Sequence, residues 1–166
     1  MYFRNLILTA AAGAALAADQ QQPNRFAAET LQAPPVAKQP DPKPVISQEM
    51  RGGIFMARKM YREAIDTYKQ AGDGAVFQNK IGIAYHQLIE LNTAKRYYEK
   101  AIKSNPQYAE AINNLGTVYY AQKSYRRAVN QYRKALKITP DSASVHSNLG
   151  TALFARKKYD DALAEY

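Results

Sequence analysis

Residues 109–142, AEAINNLGTVYYAQKSYRRAVNQYRKALKITPDS, hold two stretches of helical periodicity parted by a short polar break and closed by a proline. Shifted by 34 residues in either direction, the same pattern returns. Ile81-Gly82, Leu115-Gly116 and Leu149-Gly150 keep that step, as do Ala94, Ala128 and Ala162; Tyr98, Tyr132 and Tyr166; Ala101 and Ala135; and Pro106 and Pro140. A fixed period of this size belongs to stacked supersecondary units, each of which buries its apolar face against its neighbours. Inside the unit, Gly116 is expected to face Ala128, since two helices approach closely where one side chain is missing and the opposing one is a methyl group. Leu115, Tyr119, Tyr125, Val129 and Tyr132 then fill the space on either side, and Ala135 keeps the next unit's first helix close. Pro140 lacks the helical donor and disfavours helix in the residue before it, so the chain turns there.

Working outward, the periodicity predicts helices at 46–58, 61–71, 75–88, 91–104, 109–122, 125–138, 143–156 and 159–166, with no competing strand signal. These residues resemble the tetratricopeptide repeat family. Leu115-Gly116, Tyr119, Ala128 and Pro140 match its signature, with Tyr132 where an aromatic is usual and Ile112 where tryptophan often stands. Residues 75–108 match through Ile81, Gly82, Tyr85, Ala94, Tyr98, Ala101 and Pro106. Residues 143–166 form an incomplete repeat that stops within its second helix. Residues 45–74 are a degenerate one: Gly52, Phe55, Tyr61, Ala64, Tyr68 and Ala71 fit, but Arg51 replaces the leucine and the second helix is about one turn short.

The resemblance implies an all-α fold, a right-handed α-solenoid of stacked antiparallel helix pairs whose first helices line a concave groove for extended peptides or partner helices. Projected on this chain, the groove residues are Asn79, Ile83, His86, Asn113, Asn114, Thr117, Tyr120, Ser147, Asn148, Thr151 and Phe154. An asparagine amide carries donors and an acceptor, so it can pair with a peptide backbone or bond locally within the array. Asn114 and Asn148 occupy equivalent places and resemble an asparagine ladder, with Lys80 in the corresponding place of the earlier repeat. A carboxylate clamp for acidic C-termini needs cations there, and only Lys80 supplies one.

The remaining segments bear on location. Residues 1–18 read as a secretory signal peptide: Arg4 at a positive start, an apolar run from Leu6 to Ala15, and Ala15-Leu16-Ala17 as a cleavage site. The run is shorter than the roughly 20 residues a membrane span needs. Residues 19–44 hold six of the eight prolines among Gln and Ala and read as a disordered linker. The expected mature product is periplasmic or secreted, without a transmembrane segment, and with no cysteine it has neither disulfides nor a lipid-anchor site.

The net charge of +9 and a pI near 9.6 favour anionic partners, although export argues against nucleic acid. Basic residues gather on the second helices, Lys95, Arg96, Lys100 and Lys103 recurring as Lys134 and Lys137 beside Arg126, Arg127 and Arg133. This ridge is either a solvated face or a docking surface for an anionic polymer or lipid headgroup. His86 and His146 stand 60 residues apart without a carboxylate cluster in phase, so no enzyme, metal or cofactor is expected. The sequence thus predicts an exported interaction module for a protein or peptide. Two alternatives stay open: an envelope scaffold that docks through the ridge or self-associates through the uncapped repeat of Leu149, Leu153, Ala162 and Tyr166, and the N-terminal part of a longer enzyme.

Overall fold

A computed structural model describes residues 46–166. The signal peptide expected over 1–18 and the linker over 19–44 lie outside the described residues. Eight helices follow one another: α1 (Gln48–Ala57), α2 (Tyr61–Ala71), α3 (Ala75–Gln87), α4 (Leu91–Ser104), α5 (Ala109–Ala121), α6 (Tyr125–Ile138), α7 (Ala143–Ala155) and α8 (Tyr159–Glu165). Each begins within two residues of the position the periodicity predicts. No strand occurs among the described residues, and the chain is an all-α solenoid of four stacked helix pairs. None of these helices is long and apolar enough to cross a membrane.

First and second helices differ for a physical reason. A first helix such as α5 is sandwiched between neighbours and buries Ala111, Ile112, Leu115, Gly116 and Val118, which lie on several sides of it. A second helix such as α6 has one covered stripe, Ala128, Val129, Tyr132 and Ala135, at three- and four-residue steps, and an outer face of charge. The core is continuous only from neighbour to neighbour: one apolar cluster joins Ile112, Tyr132, Ala135, Val145 and Leu149, another Ala94, Tyr98, Leu115 and Val118.

The steric role of the repeat glycines differs from the expectation. The space left by Gly116 is taken by the Tyr132 ring, not by the Ala128 methyl: a Cβ on Gly116 would lie 2.5 Å from Tyr132 Cε1. Gly82 opposes Tyr98 in the same way at 2.6 Å, Gly52 opposes Tyr68, and Gly150 opposes Tyr166 at 3.0 Å. The lock therefore runs between glycine on a first helix and tyrosine on its own second helix. Burial is nearly complete for Tyr68, Tyr98 and Tyr132 and raises their phenols above the ordinary value.

Each first helix ends in the same turn. Lys59, Ile89, Lys123 and Lys157 have positive φ, and their N–H groups donate to Met56, His86, Tyr120 and Phe154 carbonyls at 2.8–3.0 Å. The next N–H in each case donates to the carbonyl one residue earlier in the helix: Met60 to Phe55, Glu90 to Tyr85, Ser124 to Tyr119 and Lys158 to Leu153. This is the Schellman pattern of helix termination. The first pair is short, as expected: α2 has 11 residues against 14 in α4 and α6, and Gly72, at φ 140°, ends it.

Candidate functional site

Curvature places the site. Besides their sequence neighbours, α3 touches α5 and α5 touches α7, whereas successive second helices make no comparable contact among the described residues. First helices therefore crowd the inner side of the stack, and second helices fan out on the outer side.

On the inner side the asparagines form a directed chain. Asn79 is fully buried. Its Nδ2 donates to Glu110 Oε1 at 2.9 Å and to Tyr108 Oη at 3.3 Å, and its Oδ1 accepts from Asn114 Nδ2 at 3.0 Å. The carboxylate accepts only, so it fixes the orientation of the Asn79 amide. That orientation in turn obliges Asn114 to present Nδ2 to it and to turn Oδ1 away. One repeat later Asn148 Nδ2 donates to Asn113 Oδ1 at 3.0 Å. Here Ser142 and Ser144 stand in place of Tyr108 and Glu110; their hydroxyls lie 3.2 Å apart and leave Asn113 Nδ2 unengaged. Asn79 thus departs from the expectation of a groove-facing ligand. It is a buried pin that joins α3 to α5, because the next repeat brings a carboxylate onto it.

The other predicted positions are accessible. Ile83, His86, Asn113, Asn114, Thr117, Tyr120, Asn148 and Thr151 are half-buried, and Ser147 and Phe154 are exposed. The hydroxyl protons of Thr117 and Thr151 turn back on their own helix, donating to the Asn114 and Ser147 carbonyls at 2.7 and 2.8 Å. At one edge the series His86, Tyr120, Phe154 repeats at the 34-residue step. Tyr120 packs on Tyr125 with centroids 5.3 Å apart, and Phe154 meets Tyr159 edge-on at 5.2 Å. Burial holds the His86 imidazole below its ordinary value, so this edge is uncharged at neutral pH.

A further hollow of about 270 Å³ was not foreseen. Met56, Tyr68, Lys80, Ile83, Tyr108 and Glu110 line it. Lys80 does not act as a free cation: its Nζ lies 3.0 Å from Glu49 Oε1 and 5.8 Å from the Tyr68 ring centroid. The hydrogen bond to Glu49 raises its pKa first, against desolvation. Tyr108, at the N-cap of α5, and Glu110, in its first turn, left no signal in the repeat pattern, as they reach Asn79 only through the stacking of α5 on α3.

Comparison with known proteins settles the family. Tetratricopeptide repeat profiles match residues 75–108 and 97–130, and a TPR repeat profile matches 116–155. The chain is a tetratricopeptide repeat protein. None of the curated proteins matches the sequence. Among solved structures, this repeat protein resembles MamA at 25% identity and a TM-score of 0.66, over 75% of each chain. It also resembles YrrB, described as a TPR protein with an unusual peptide-binding site (20% identity, TM-score 0.62, 71% of this chain and 63% of that one). BtubC from P. vanneervenii is similar at 21% identity and a TM-score of 0.65, over 71% of this chain and 58% of that one. The repeats identify a module for protein–protein interaction, and the last two likenesses carry the fold alone.

Proposed function

We propose that this chain is an exported, non-enzymatic module that holds an extended protein segment along the inner face of α3, α5 and α7. The supporting observation is the half-engaged amides. Asn114 and Asn148 each use Nδ2 for the array and turn Oδ1 outward, while Asn113 keeps its Nδ2 unengaged. Bonding within the array and bonding to a ligand are therefore not alternatives here. The first removes rotamer freedom, so less ordering entropy is lost when the second forms. Two outward acceptors and one donor can pair with a peptide backbone irrespective of its sequence. Tyr120, Phe154 and Ile83 supply apolar contact, and YrrB offers a precedent for peptide binding on this fold. Export rests on the character of residues 1–18.

Peptides selected from a displayed random library against the chain provide the test. Replacing both Asn148 and Tyr120 by Ala is expected to weaken the selected peptides by about tenfold or more, a loss of roughly 1.4 kcal/mol. The helical circular dichroism should persist. Unchanged affinity in that double variant overturns the groove reading.

A further inference from the structure

The outer face carries a second feature, which the groove does not use. Charge along the second helices is very uneven. On α2, Arg62 and Lys69 are balanced by Glu63 and Asp66, and α8 carries Asp160, Asp161 and Glu165 with no cation. By contrast α6 carries Arg126, Arg127, Arg133, Lys134 and Lys137 and no acid. Among the described residues, none of these five makes an ion pair. Five like charges within fourteen residues repel one another and lower the stability of the free helix. Packing does not require them, because α6 buries only Ala128, Val129, Tyr132 and Ala135.

The cations also border concave surface. One depression of about 380 Å³ runs beside α6, lined by Arg127, Arg133, Lys134 and Lys137 with Asn130, Gln131 and the Tyr119 ring. A second, of about 450 Å³, is lined by Lys123, Arg126, Arg127 and Arg156 with Ser124 and Tyr125. Arg127 borders both, and no carboxylate lines either. Between them Arg127 and Lys95 each approach the Tyr119 ring to 5.8 Å, so the ring holds the guanidinium in place. From Arg127 to Lys137 the track is about 15 Å long, the reach of four or five extended residues.

We propose that this track is a docking surface for an acidic, carboxylate-rich protein segment. Arginine forks match carboxylates in a bidentate manner, and the amides of Asn130 and Gln131 can serve the backbone between acidic side chains. A lipid surface fits less well. Peripheral helices add buried apolar side chains to their charge, and no large apolar side chain between Lys123 and Lys137 is exposed. The proposal is independent of the groove, as the two surfaces lie on opposite sides of the stack.

Fluorescence anisotropy of a dye-labelled decaglutamate peptide, with the full chain as receptor, tests it. Binding is expected at low ionic strength and should weaken as salt rises. Lys134→Glu with Lys137→Glu, neither of which touches Tyr119, is expected to lower affinity by about tenfold or more. Arg62→Glu with Lys69→Glu makes the same change in net charge on α2 and is expected to leave binding intact. Absence of binding by the unaltered chain overturns the proposal, and so does an equal loss in the α2 variant, which would reduce the effect to net charge. Binding to phosphatidylglycerol vesicles without binding to decaglutamate overturns the assignment to a protein segment.

Discussion

Among the described residues with positive φ, Ile89 is the one β-branched side chain and has the least comfortable backbone. It sits at φ 62° and is 80% exposed, so a β-branched side chain takes the left-handed region without apolar burial in return. What holds it is the pair of terminating bonds from its own N–H to His86 and from Glu90 N–H to Tyr85, both 2.9 Å. Left-handed geometry costs an L-residue roughly 1–2 kcal/mol, and glycine relieves most of that. Ile89→Gly is therefore expected to raise unfolding stability by about 1 kcal/mol, read as a higher urea midpoint at unchanged m-value; a lowered midpoint would contradict this account of the turn. The four turns were invisible as left-handed positions in the sequence because lysine or isoleucine occupies each one, where a glycine would have marked it. The glycines that do recur sit under tyrosine rings instead. Their importance was legible from the period, but their partner was not: Ala128 and Tyr132 both keep the 34-residue step, and only packing tells them apart.

At the scale of an element, α8 is held by a titratable contact. His146 on α7 lies with Nδ1 2.7 Å from Glu165 Oε2 and Nε2 2.7 Å from the Pro140 carbonyl oxygen. Both partners accept, and a neutral imidazole has only one N–H, so making both bonds requires the imidazolium. The hydrogen bond to Glu165 is the foremost cause that raises the His146 pKa, with the Pro140 carbonyl next and the charges of Glu165 and Asp141 adding to it. Because the folded value lies above the unfolded one, the contribution is complete below the ordinary histidine range and is lost as pH rises through the raised value. Exchange of the α8 amides, corrected for intrinsic chemistry, is expected to quicken relative to α4 between about pH 5 and pH 8, and His146→Gln should abolish that difference. A pH-independent ratio in the unaltered chain would exclude the contact as a stabilising one. In the sequence His146 stood only as one of two histidines without a carboxylate cluster in phase. Its partners, 6 and 19 residues away, lay beyond any pattern of spacing.

Across the whole molecule, cohesion passes from each helix to the next, since no contact closes the array end to end among the described residues. Leu115 is 5% exposed and shares a cluster with Ala94 and Tyr98, so it couples the second described pair to the third. Leu115→Ala should cost about 2–5 kcal/mol, and in a chain of nearest neighbours it should also divide the melt. Urea transitions followed by circular dichroism and by tyrosine fluorescence are expected to separate; coincident transitions with an unchanged m-value would show that the array folds as one body. Solenoid architecture was legible at this scale because its steric demands fall on the same positions every 34 residues. The groove was legible only in outline: Asn79 carries the same residue type as Asn113, yet Glu110 buries one while Ser144 leaves the other open. Two kinds of fastening thus coexist, with glycine–tyrosine locks inside each pair and asparagine bonds between pairs. A length change confined to one pair breaks both at once. A complete 34-residue block copied from residues 109–142 would keep the glycine–tyrosine locks and the asparagine step in register, so the inner face can be lengthened in whole steps.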